Sequence, residues 1–165
     1  MRYTISLRVE NHQGVLSRIS GLFSGRGYNL ESFTSGITTD PSITRITLVC
    51  NGDAQIIDQI KKQLDKLIDI IEVVDLTELP TIDRELALIK IAARPGERGE
   101  IFQVVDVFQA KVTDVGFDSM IIESTGPQTQ IDDLLALLKD YEILELARSG
   151  LVSMRSEEHT SELQS

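Results

Sequence analysis

The feature that most constrains this chain is an order of elements that occurs twice. Tyr3, Ile5, Leu7 and Val9 alternate with Thr4, Ser6 and Arg8, the period of a strand with one buried face. Val15, Ile19, Leu22 and Phe23 then recur at helical spacing, and Gly25 and Gly27 end that helix. A second strand follows around Leu30, Phe33, Gly36 and Ile37. Asp40-Pro41-Ser42 turns the chain into a third strand over residues 43–50, and Asn51-Gly52-Asp53 turns it again. Ile57, Ile60, Leu64 and Leu67 form a helical stripe, and residues 69–76 return as a strand. After Pro80 the order restarts, with a strand over 86–93 and a loop at 94–99. Ile101, Val104, Val105 and Phe108 line a helix, and strands follow at 111–115 and 119–124. Ile131, Leu134, Leu135 and Leu138 line the last helix, and residues 143–153 close the unit. Strand, helix, strand, strand, helix, strand is the split βαβ arrangement. The expected class is therefore α+β, with two ferredoxin-like βαββαβ units. The expected boundaries are 1–78, a linker at 79–84, and 85–155, with a structureless tail at 156–165. The ending RSEEHTSELQS reads as a translated cloning or sequencing adaptor.

Strands such as Leu86-Ala87-Leu88-Ile89 and Ile70-Ile71-Glu72-Val73-Val74 carry apolar residues on both faces. That is more apolar surface than a small two-layer unit needs, so oligomerisation or packing of the halves is expected.

The 165 residues carry a formal net charge of -10. Affinity for polyphosphate rests on Lys and Arg, so nucleic acid and anionic membrane are not expected partners. No apolar stretch approaches the roughly 18 residues of a membrane span, and residues 1–10 alternate instead of forming a signal-peptide core. The single cysteine, Cys50, rules out an intrachain disulfide framework. A reducing, cytoplasmic setting is the expectation.

Residues 10–30, ENHQGVLSRISGLFSGRGYNL, hold no nucleophile with a base, no metal-ligating His/Cys spacing and no phosphate-binding loop. Gly21, Gly25 and Gly27 lie inside and after the helix, where a dinucleotide fingerprint does not belong. His12 reads as an exposed loop histidine, and Cys50, in step with Ile46 and Leu48, as a small buried hydrophobe. Dispersed carboxylates leave binding of a hard cation open. What remains is recognition. The amides at Gly14, Val15 and Leu16 suit a carboxylate, and Asn11 and Asn29 each donate and accept. The two asparagines are a helix length apart, so they meet more easily between two copies than within one. Taken alone, the same residues also fit a capping Asn11, a turning Asn29 and a plain dimerisation module.

These residues, followed by DPSITRITL and NGD, resemble the ACT domain of the small subunits of acetolactate (acetohydroxyacid) synthase. ELALIKI, AKVTDVGFDSMIIESTG and ILELARSG continue the resemblance over about residues 1–155. It implies a regulatory chain with no catalytic centre and no cofactor of its own. The partner would be a large catalytic subunit carrying thiamine diphosphate, Mg2+ and usually FAD. The chain would activate that subunit and mediate feedback inhibition by a branched-chain amino acid, with valine the expected effector. It also implies a homodimer through the ACT domains. The effector would be held by Asn11, Gly14, Val15 and Leu16 of one copy and by Asn29 and Leu30 of the other. The alternatives are an ACT regulator of some other partner and a small ferredoxin-like enzyme using carboxylates.

Overall fold

A computed structural model describes residues 1–24 and 29–156. The chain divides into two units: Met1–Ile82 with the segment that begins at Leu151, and Asp83–Gly150. The glycines expected to end the first helix, Gly25 and Gly27, lie outside the described residues, as does the tail from 157 onward.

The first unit runs β1 (Arg2–Glu10), α1 (Val15–Gly21), β2 (Asn29–Ile37), β3 (Ile43–Asn51), α2 (Ala54–Asp65) and β4 (Ile70–Asp75). Its antiparallel sheet has the order β2-β3-β1-β4. β1 therefore lies centrally and pairs along its whole length with β3, from Arg2 opposite Asn51 to Glu10 opposite Ile43. The alternation seen in the sequence is the core. Ile5, Leu7, Ile46 and Leu48 are sealed from solvent under Val15, Ile19, Ile57, Ile60 and Leu64 of the two helices. Asp53 caps α2 by accepting from the Ile56 N–H at 2.9 Å, whereas no side chain caps α1.

The second unit repeats the plan with β5 (Thr81–Ala92), α3 (Arg98–Val107), β6 (Lys111–Val115), β7 (Ser119–Gly126), α4 (Gln128–Leu137) and β8 (Ile143–Arg148). The strand order β6-β7-β5-β8 is the same as in the first unit, and a fifth strand, β9 (Val152–Arg155), also pairs with β5. Ile89, Ile91, Met120 and Ile122 are buried under Ile101, Val105, Ile131 and Leu134. Leu86 and Leu88, on the other face of β5, are 40% and 41% exposed.

Two boundaries differ from the expectation. Residues 79–84 are not a free linker, because β5 already starts at Thr81. The polar run Thr-Ile-Asp-Arg-Glu hides the strand, since neither of its faces is uniformly apolar there. The stretch 143–153 is two strands, not one. Gly150, at φ +86°, turns the chain between β8 and β9 (Val152–Arg155). β9 returns to the first unit: Leu151 N–H meets Ser32 Oγ at 3.4 Å, Arg45 Nη2 donates to Ser153 C=O at 2.9 Å, and Ser156 N–H donates to Pro80 C=O at 2.8 Å. None of the described helices is long and apolar enough to cross a membrane.

Candidate functional site

The chain leaves β1 at Glu10 and must reverse into α1 within four residues. Gly14 makes this possible by taking φ +86°, a left-handed conformation that side chains disfavour. The loop so formed is clamped to the β2–β3 hairpin. Asn11 N–H donates to Ser42 C=O at 2.8 Å, and Asn11 Nδ2 donates to Pro41 C=O at 3.1 Å. The hairpin is itself stiffened by Asp40, whose Oδ1 accepts from the Ser42 hydroxyl at 2.7 Å and its N–H at 3.0 Å. Those two bonds, the hydroxyl's first, hold the Asp40 carboxyl below its ordinary pKa.

Loop and hairpin together enclose a cavity of about 230 Å3. Val9, Glu10, Asn11 and His12 line one side, Val15 and Leu16 the helix mouth, and Ser35, Gly36, Ile37 and Thr44 the other side. The volume is below the ~300–1,000 Å3 of drug-sized sites and suits a molecule of few heavy atoms. The lining is part apolar and part polar, with the side chains of Glu10, Asn11 and His12 among it.

Of the residues expected at the site, Asn11, Val15 and Leu16 line this cavity, and Gly14 shapes its mouth. Val15 is 2% exposed and its side chain belongs to the core; its N–H reaches His12 C=O at a long 3.5 Å. Leu16 is 42% exposed and offers its side chain. Asn29 and Leu30 lie elsewhere. They open β2 opposite Asn51 and Cys50, while Ser35–Ile37 close it. Asn29 and Gly36 are seven residue steps apart along the strand, roughly 23 Å at 3.3 Å per step, so one copy cannot bring them to its own cavity. β2 is an edge strand of the sheet, and Ile37 at its end is 65% exposed.

The residues that sequence reasoning missed are the far wall, Ser35–Ile37 with Thr44, and an ionic cluster beside the loop. Arg18 Nη2 donates to Asp69, which is 8% exposed, and ties α1 to the start of β4. His12 Nε2 lies 2.7 Å from Glu10 Oε2. Glu10, His12 and Asp69 place ligand atoms within 4.8 Å of one another, a grouping that linear spacing does not expose. Each is already engaged, by Arg18 or by its neighbour. His12 is exposed, as expected for a loop residue. Cys50 is sealed in the core, and burial pushes its thiol up to about 11, far from the reactive thiolate range.

Comparison with known proteins follows the two units. Residues 5–72 match the family model described as the AHAS small subunit-like ACT domain, and residues 84–157 match the model for the small subunit of acetolactate synthase. The "Probable acetolactate synthase small subunit" of Archaeoglobus fulgidus is 45% identical over 154 residues, covering 93% of this chain and 96% of that one. The acetolactate synthase small subunit of Bacillus subtilis is 44% identical over 151 residues, covering 91% and 88%. The crystal structure of the small subunit from Thermotoga maritima superposes with a TM-score of 0.86 at 34% identity, covering 96% and 99%.

Proposed function

The chain belongs to the acetolactate synthase small-subunit family, and from that premise we propose that it is a regulatory subunit whose first unit senses a branched-chain amino acid. It binds the large catalytic subunit, raises its activity and transmits feedback inhibition, with valine as the effector. Thiamine diphosphate, Mg2+ and FAD chemistry belongs to that partner.

The observation that supports this reading best is the division of the site. One end of the clamped loop forms a cavity of amino-acid size, while Asn29 and Leu30 stand at the opposite end of the free edge strand β2. Two copies paired antiparallel along β2 would set the Asn29 end of each against the cavity of the other. Each effector would then bridge two chains, and the effector would stabilise one arrangement of the dimer over another. Feedback requires such a differential affinity between active and inhibited assemblies.

The test is twofold. Calorimetric titration of the chain with valine, leucine and isoleucine should show saturable binding, with valine tightest. Added to the purified large subunit, the chain should raise acetolactate formation, and valine should reverse that rise. Absence of association with the large subunit would overturn the proposal even if the amino acids bind.

A further inference from the structure

The two sheets have the same strand order, so each loop of the first unit has a counterpart in the second. The cavity of the first unit lies between the loop leaving β1 and the far end of β2. Its counterpart lies between the loop leaving β5 and the far end of β6. A cavity of about 360 Å3 is found there, lined by Pro95, Arg98, Val115, Gly116 and Phe117. The clamp is repeated as well. Where Asn11 Nδ2 donates to the Pro41 carbonyl, Arg98 Nη2 donates to Gly116 C=O at 2.6 Å and to Phe117 C=O at 2.8 Å.

The chemistry of the two positions differs. A neutral amide in the first unit is replaced by a guanidinium in the second. Arg98 has only carbonyl partners among the described residues, and no carboxylate pairs with it; its Nε–H is closed off and unpartnered. Its acidic neighbours in sequence do not neutralise it, and Glu100 instead accepts from the Tyr141 hydroxyl at 2.8 Å. Beside the guanidinium stand Pro95, Val115 at 48% exposure and Phe117 at 95%. A fixed cation next to an open apolar wall is complementary to a carboxylate on a short apolar stem. An ammonium would be repelled, so an amino acid fits less well than the corresponding simple carboxylic acid.

We propose that the second unit keeps a ligand position equivalent to that of the first, and that it takes a small apolar monocarboxylate. The equivalence rests on reading the first-unit cavity as a ligand site, while the carboxylate preference rests on Arg98 and its apolar surroundings alone.

Isotope-labelled full-length chain titrated with sodium isobutyrate, and in parallel with isobutylammonium chloride at equal ionic strength, tests it by NMR. Amide signals of Gly99, Gly116 and Phe117 should shift saturably with the carboxylate and stay still with the cation. Arg98→Gln keeps a donor for the two carbonyls and removes the charge, and it should weaken that response by about tenfold, the scale of one charged hydrogen bond. Phe117→Ser leaves the Arg98 clamp in place and should also weaken binding, which keeps the test valid if Arg98→Gln misfolds. Asn11→Ala should leave the isobutyrate response unchanged. No saturable shift at these amides, an equal response to the cation, or full affinity in Phe117→Ser would each overturn the proposal. Valine shifts at Asn11 and Leu16 report the first site separately, so either site can fail without the other.

Discussion

At the scale of the residue, Asn11 and Gly14 act through different physics. Asn11 is exposed and holds the loop to the hairpin by its backbone N–H and its side-chain amide. Asn11→Ala removes only the side-chain bond, so the core should survive, with a stability loss of about 1 kcal/mol. The valine response should weaken at least tenfold, read as the valine concentration that half-inhibits the reconstituted holoenzyme. Full inhibition at the original valine concentration would count against the assignment. Gly14→Asp should be worse. At φ +86° a side chain is strained by about 1–2 kcal/mol. The new Cβ would sit 3.4 Å from Arg18 Nη1, where a carboxylate competes with Asp69 for the guanidinium and repels an effector carboxylate at the mouth. Valine sensitivity should be lost, while association with the large subunit is retained.

At the scale of the element, two polar ties carry measurable weight. In the second unit Arg148 grips Glu85 with Nε at 2.5 Å and Nη2 at 3.3 Å, and reaches Asp132 with Nη1 at 3.0 Å, joining β8, β5 and α4. Glu85 is only 4% exposed, so removing its partner leaves a carboxylate buried alone. Arg148→Met should therefore destabilise the unit by about 3 kcal/mol in urea melts. Asp132→Asn, at the exposed end of the tie, should cost less than about 1 kcal/mol. In the first unit, burial raises the Asp75 carboxyl, but the Thr77 hydroxyl and N–H and the Lys61 ammonium outweigh it and hold its pKa below the ordinary value. A depressed folded pKa contributes stability that is present above the unfolded value, about 4, and is lost as pH falls through the folded one. The urea midpoints of the wild-type chain and of Asp75→Asn should thus differ at pH 7 and converge below about pH 4. A gap that stays constant with pH would exclude this role. The same tie raises the pKa of Lys61, so its share is present at neutral pH and lost only in strong alkali.

Most elements are legible because their periodicity reports burial directly: Ile5, Leu7, Ile19 and Ile57 fall on the apolar faces of their patterns and lie in one core. The start of β5 is hidden in the sequence because Pro80 and the charges after it resemble a loop, while the pairing that holds the strand is long-range. Half of the cavity was legible for the same reason. Asn11 to Leu16 are contiguous, whereas Ser35–Ile37 and Thr44 arrive only through sheet pairing.

At the scale of the whole molecule, the chain does not finish where its second unit does. Gly150 sends the last strand back to the first unit, so that unit is built from both ends of the sequence. Leu151 is 5% exposed and Ser153 1% exposed, and Arg45 Nη2 is satisfied by the Ser153 carbonyl. Ending the chain at Gly150 removes a buried leucine, about 2 kcal/mol by apolar burial. It also strips Arg45 of a partner at a half-buried position, which adds about 1 kcal/mol. Yet α3, α4 and strands β5 to β8 remain, and their sheet loses only the pairing of β9 with β5. Hydrogen exchange on the truncated chain should therefore show faster exchange of β1 and β3 amides and of the part of β5 that β9 pairs, with the rest of β5 and β7 unchanged. Because the proposed amino-acid cavity is carried by the first unit, valine affinity should fall with the same truncation. Loss of protection along the whole of β5 and in β7 instead, with β1 and β3 intact, would show that β9 mainly serves the second unit.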